Sequence, residues 1–218
     1  MPKCLLYLNM FGIINLPAFI VASALLIVSP GVDTVYILSR SIAQGKKAGI
    51  YSVLGIVTGS LLHVTLAAFG LSIIIAQSVT SFNIIKYAGA VYLSYLGIKM
   101  LLAKPIAQLD TDTPFLNVGK LYISGILTNL FNPKIILFYL VFLPQFVKTS
   151  EAHNPIPFLI LGLMFIIPAT VWCIMLVLFA VKLSQKLRQN NKISVWLNRA
   201  TGVVFIALGL KLALISKN

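Results

Sequence analysis

Leu25-Leu26-Ile27-Val28-Ser29-Pro30-Gly31-Val32-Asp33-Thr34 carries an apolar helix into a proline, a glycine and an acid in quick succession. It closes a charge-free run from about Phe11 to Val32. A hydrocarbon core about 30 Å thick takes roughly 20 helical residues to cross, so that run is long enough to span it. Proline lacks the donor that would reach back four residues, so Pro30 frees the carbonyl of Leu26, and Gly31 lets the chain turn out of helix. Non-helical backbone at membrane depth persists only where protein or a water-filled cavity satisfies it. The stretch therefore predicts a site inside a membrane-spanning helix.

The rest of the chain agrees with a lipid solvent. Of its 218 residues 59% are hydrophobic and 10% charged, against about 45–50% and about 25% in an average soluble domain. Lys and Arg number 17 and Asp and Glu 4, a net charge of +13. So much apolar surface excludes disorder, and basic residues scattered between apolar runs, not clustered over a polar face, exclude a nucleic-acid partner. Cys4 and Cys173 are far apart with no metal-type spacing and read as packing residues. A cleavable leader ending at Ala22-Ser23-Ala24 is rejected, because the apolar pattern continues through Val28 and cleavage would cut a span in half. Met10 is an alternative start.

Five further apolar segments follow: Ala48 to about Gln77, about Ile84 to Leu102, about Leu121 to Val147, Ile156 to Val181, and Leu197 to about Ile215. The third and sixth need flanking lysines and arginines that snorkel to the interface. Eleven basic residues, among them Arg40, Lys46, Lys47 and the group from Lys182 to Arg199, fall on the connections after segments one, three and five. Five fall on the other side, which puts both termini outside.

The halves resemble each other. Tyr95-Leu96-Gly97-Ile98-Lys99-Met100-Leu101-Leu102 matches Ala207-Leu208-Gly209-Leu210-Lys211-Leu212-Ala213-Leu214 at an offset of 112, and Ser29-Pro30-Gly31 has a counterpart in Asn132-Pro133-Lys134 near offset 103. Duplicating a three-span unit inverts the second copy, the architecture of many secondary transporters. The expected fold is an all-α polytopic membrane protein, a single domain over residues 1–218. Its six transmembrane helices form a 3+3 inverted repeat with halves at about 11–103 and 120–217, a loop at 104–119, and broken helices at segments one and four.

Few residues are equipped for chemistry. Asp33 is the one acid within or at the edge of a span, since Asp110, Asp112 and Glu151 sit in loops. A carboxylate in low dielectric is costly unless paired or protonated, so its use there is to hold a cation or a proton; the alternative is a helix cap at the interface. Lys134, mid-segment beside Pro133, is too deep to snorkel and needs a partner, either Asp33 or a substrate carboxylate. Pro133 frees the carbonyl of Asn129, and Asn129, Asn132 and Thr128 supply neutral hydrogen bonds nearby. His63, a turn beyond the Gly55-x-x-x-Gly59 pair that permits close helix packing, reads first as a packing residue and second as a proton relay. Tyr36 is a candidate cavity residue, and Pro168 a simple kink. No Walker-type loop, Ser/His/Asp grouping or His/Cys cluster occurs, so neither an enzyme nor an ATP-driven pump is suggested.

At Ser29-Pro30-Gly31-Val32-Asp33-Thr34, Ser39-Arg40, Gly45-Lys46-Lys47-Ala48-Gly49, Asn129-Leu130-Phe131-Asn132-Pro133-Lys134 and Phe142-Leu143-Pro144-Gln145-Phe146, the chain resembles the lysine exporter (LysE/RhtB) family in its RhtB-like branch. The likeness covers nearly the whole chain. One position departs: Val32 stands where the family has proline after the glycine of the first turn. The resemblance implies an exporter of amino acids or close derivatives in the bacterial inner membrane. It also implies proton-gradient drive, with sodium as the alternative, no bound cofactor, and a homo-oligomer. The substrate class expected is small and neutral, of homoserine/threonine or branched-chain type, because one acid facing Lys134 leaves no spare negative charge. Pro30, Gly31, Asp33, Thr34, Asn129, Asn132, Pro133 and Lys134 are the expected substrate- and ion-binding set. Asp33 takes the ammonium or the coupling proton, Lys134 takes the carboxylate, and the two neutralise each other when the site is empty. An inorganic-cation exporter and a non-transporting scaffold are the rival readings; the first is disfavoured because hard cations want several carboxylate oxygens.

Overall fold

Two prolines set where the helices stop and start. The structure, a computed structural model, describes residues 11–71 and 115–180 with scattered positions between 87 and 102 and between 195 and 210. Most of the third and sixth apolar segments, the loop 104–114 and Cys4 lie outside the described residues. Helix α1 spans Leu16–Val28 and carries Pro17 in its first turn, where the missing N–H breaks no intrahelical bond. It ends ahead of Pro30, with Ser29 extended (φ −61°, ψ 122°) as a residue before proline prefers.

Helix α2 covers Val32–Leu66 and continues as a π-helical turn at Ala67–Leu71. Gly45 (φ 82°, ψ 179°) divides it into arms at 32–44 and 46–66, a conformation that glycine adopts without strain. Helix α3, Val118–Leu130, is capped by the Asn117 side chain accepting from the Lys120 N–H at 2.9 Å. Helix α4, Pro133–Leu137, is capped by Asn132, whose Oδ1 accepts from the Lys134 N–H at 3.1 Å; Asn-Pro-Lys is thus a helix start with proline in the tolerated first turn. It runs on as π-helical Phe138–Phe142 and 3₁₀-helical Leu143–Phe146, bent 50° from α3. Helix α5 is Pro155–Leu178, capped by Asn154, with Pro168 inside.

Among the described residues the fold is all-helical, with one isolated bridge between Ile13 and Val147. Of the described helices, two are long and apolar enough to cross a membrane, Val32–Gly70 and Pro155–Leu178, and a third if the bent pair Val118–Leu130 and Pro133–Phe146 is one span. Apolar side chains such as Ile167 and Val171 of α5 point outward, as a lipid-facing surface requires.

Counting apolar residues misplaced one boundary. Arg40, Lys46 and Lys47, expected on the connection after the first segment, all lie on α2: Arg40 on its first arm, with its guanidinium 5.8 Å from the Tyr36 ring centre, and the lysines just past Gly45. A charge ends an apolar run without ending a helix, and an aromatic face gives the cation a partner there.

Without a hydrophobic force between helices in lipid, close packing holds them together. Helices α2 and α3 touch backbone to backbone: a Cβ on Gly125 would lie 2.6 Å from the Ser52 carbonyl oxygen, and one on Gly55 would collide with that of Tyr122. One core joins α1, α4 and α5 through stacked rings, with Phe138 and Phe165 centred 3.9 Å apart and Phe19 against Phe138, Phe142 and Phe146. A second core joins α2 and the end of α5 around Ile37, Ile56 and Val177. The strand-like contacts Ile14 N–H to Phe146 (2.8 Å) and Lys148 N–H to Gly12 (2.7 Å) tie the start of α1 to the end of the α4 arm.

Candidate functional site

Four helix ends converge between the two cores. The C-terminus of α1, the N-terminus of α2, the C-terminus of α3 and the N-terminus of α4 bound a cavity of about 60 Å³, lined there by Ser29, Gly31, Asp33, Asn129, Asn132 and Lys134. A cavity needs about 10–15 Å³ to hold a single water, so this one is large enough to be hydrated. Leu26 and Ile135 of the first core and Ile56 of the second face it, and α5 closes it with Phe165, Ala169, Trp172 and Cys173.

Each opened end meets a complementary group. Lys134 Nζ donates to the carbonyl oxygens of Leu26 and Ser29, both at 2.7 Å, capping the negative end of α1. Asp33 lies in the first turn of α2, where a carboxylate suits the positive end of the helix. Its Oδ2 accepts from Asn129 Nδ2 at 2.9 Å, while its Oδ1 is buried with no hydrogen-bond partner among the described residues. Asn129 is held in turn by Ser60, whose Oγ donates to Asn129 Oδ1 at 3.2 Å. The Gly59 position makes this possible, since a Cβ there would lie 2.9 Å from both Asn129 Cβ and Oδ1.

Two expectations change. Asp33 and Lys134 share the cavity without forming an ion pair: the ammonium goes to backbone carbonyls and the carboxylate to an amide. Pro30 frees the Leu26 carbonyl that accepts one of the two bonds, so the ammonium finds backbone acceptors at the end of α1. Gly31 is extended (φ −146°, ψ −169°), a conformation open to any residue, and a Cβ there would meet Lys134 Cδ at an ordinary 3.5 Å. The turn is made by Pro30, not by glycine.

The remaining candidates divide. Thr34 lines the cavity, and Pro30 and Pro133 shape its helix ends. His63 lies behind it, with Nε2 3.4 Å from the Asn129 carbonyl oxygen and its ring stacked on Tyr139 at 5.5 Å. Tyr36 donates its hydroxyl to the Leu121 carbonyl at 2.8 Å, joining α2 to α3 away from the cavity lining. Ser60, Phe165, Ala169 and Trp172 are cavity residues with no mark in the sequence, and Cys173, expected as a packing residue, also lines the cavity. Helix α5 is apolar all round, so no periodicity singles out its inner face.

A chemically mixed site of this kind, one carboxylate and one ammonium at opened helix ends beside an apolar wall, fits a small polar molecule with both charges better than a bare ion. The chain's similarities lie in the same direction. A family model described as LysE type translocator matches residues 24–216. The membrane protein YrhP of Bacillus subtilis (strain 168) is 32% identical over 209 residues, covering 92% of this chain and 99% of that protein. Leucine efflux proteins of Salmonella choleraesuis (strain SC-B67) and Klebsiella pneumoniae subsp. pneumoniae are 30% and 29% identical, each alignment covering 93% of this chain and 96% of the relative. No solved structure matches the chain.

Proposed function

The chain belongs to the LysE type translocator family, a family of transporters and not of enzymes, and on that premise we propose that it exports neutral amino acids of aliphatic, branched-chain type from the bacterial cytoplasm. The observation that carries this is the presence of Asp33 and Lys134 on one cavity with neither neutralising the other. An ammonium has three donors and two are taken by Leu26 and Ser29, so one remains for a carboxylate. Asp33 Oδ1 remains for an ammonium. The balance of one positive and one negative side chain suits a substrate of zero net charge, and the apolar wall suits an aliphatic side chain. The names of the leucine efflux relatives favour the branched-chain members of that class.

In this proposal the six helices form a 3+3 inverted repeat in the inner membrane, and the breaks at Pro30 and Asn132 are its two mid-membrane hinges. Protonation of Asp33 releases the substrate ammonium and couples export to the proton gradient, and copies of the chain assemble as a homo-oligomer. An inorganic cation as cargo is disfavoured by the Lys134 ammonium on the same cavity, which repels it.

Cells overproducing the protein and loaded with dipeptides, one amino acid at a time, test the proposal. Faster efflux of leucine or a related neutral amino acid, lost in Asp33→Asn while the variant still reaches the membrane, is the expected result. Normal efflux by that variant, or no effect on any amino acid in the panel, overturns it.

A further inference from the structure

The Asp33 carboxylate has a counterpart lining the same cavity. Trp172 of α5 lines the same cavity, and its indole Nε1 is buried with no hydrogen-bond partner among the described residues. Indole N–H is a donor only, and when buried it ordinarily finds an acceptor. Asp33 Oδ1 is the mirror case, a buried acceptor with no hydrogen bond of good geometry, although the Asn132 side chain also interacts with this carboxylate. An acceptor and a donor on one small cavity suit a molecule that carries both a donor and an acceptor. Phe165, Ala169 and Trp172 recur at helical spacing on the cavity side of α5, an uncharged stripe on which an aliphatic chain can lie.

Resting on the export reading above, we propose that Trp172 determines specificity: its indole N–H shares the substrate carboxylate with Lys134, and its ring forms the wall against the aliphatic side chain. Lys134 supplies charge and one free donor from the hinge side, and Trp172 supplies a fixed, uncharged donor from α5. A substrate lacking the carboxylate leaves the indole unsatisfied and is rejected on that account. Sites that hydrogen-bond a substrate group discriminate strongly against analogues without it.

Purified full-length protein in liposomes, assayed by counterflow of labelled leucine with unlabelled leucine or isoamylamine, which is leucine without its carboxylate and offers the indole no acceptor, as competitor, tests this. The readout is the competing concentration of isoamylamine divided by that of leucine. In Trp172→Phe, which keeps the ring and loses the N–H, leucine competes about tenfold less well, the order expected for losing a hydrogen bond to a charged group, while isoamylamine is unchanged. The ratio therefore falls by about the same tenfold factor. Trp172→His, which retains a ring N–H, keeps most of the discrimination and carries the test if the Phe variant fails to insert. An unchanged ratio in the Phe variant, or equal loss of both ligands in both variants, overturns the role of Trp172 alone. Absence of leucine counterflow by the wild-type protein overturns the export reading and this proposal together.

Discussion

Lys134 and Leu26 are 108 residues apart in the chain and 2.7 Å apart in space: the lysine ammonium donates to the carbonyl oxygen that Pro30 leaves without its helical partner. The second break shows a related pairing. Pro133 leaves the carbonyl of Asn129 without its helical partner, and that oxygen accepts from the Asn132 N–H at 3.1 Å with His63 Nε2 at 3.4 Å. Each opened helix end is thus met by polar groups, which is what allows broken backbone to persist away from water. In the export reading proposed above, a substrate carboxylate takes the third donor of the same ammonium that holds the end of α1.

Removing the ammonium exposes that dependence. Lys134→Met leaves the Leu26 and Ser29 carbonyls unsatisfied, at about 1–3 kcal/mol each, partly offset by no longer burying a charge. The expected net loss is about 2 kcal/mol, seen as a lower melting temperature in detergent, together with loss of efflux. In the Pro30→Ala background the restored N–H serves Leu26, so Lys134→Met should cost less there; equal cost in both backgrounds would show that the lysine does not act through this carbonyl.

The α2–α3 crossing tolerates no added side chain. Gly125→Val drives branched methyl groups into the Ser52 carbonyl and the Gly55 backbone, with an expected loss of about 3 kcal/mol or more and a lower yield of folded protein. Because the same crossing holds Asn129 against Asp33, efflux per folded molecule should fall too. Wild-type melting temperature and efflux in this variant would contradict the packing described.

Cys173 reports on occupancy. In a Cys4→Ser background it is the one remaining thiol, and it lines the cavity. Because the thiol is largely buried, a small methanethiosulfonate reagent should modify it slowly in liposomes, and leucine should slow the modification severalfold further while lysine does not. Protection by lysine alone would point to a cationic substrate.

Gly31→Ala is expected to be near neutral. The extended backbone at 31 accepts any residue, and the new methyl would rest on the Lys134 stem at contact distance. The melting temperature should stay within about 2 °C of wild type, the shift of a change under 0.5 kcal/mol. A large drop would mean that glycine is needed at this position after all.

By itself the sequence determined the solvent and the breaks. Its 59% hydrophobic content and scattered basic residues require lipid, and Pro30 and Pro133 open helices because a missing N–H is a local covalent fact. It also isolated Asp33 and Lys134, since charges in apolar runs are few enough to see by inspection. Only the tertiary structure decided how those charges are partnered. Pairing depends on distances across the fold, and the Gly55–Gly125 crossing brings Asn129 to Asp33 while the helix ends bring Lys134 to Leu26, in place of the direct ion pair that composition alone suggests. The inner face of α5 was hidden for the same reason: a helix apolar on every side carries no periodic mark, so which of its residues face the cavity is settled by what packs against it.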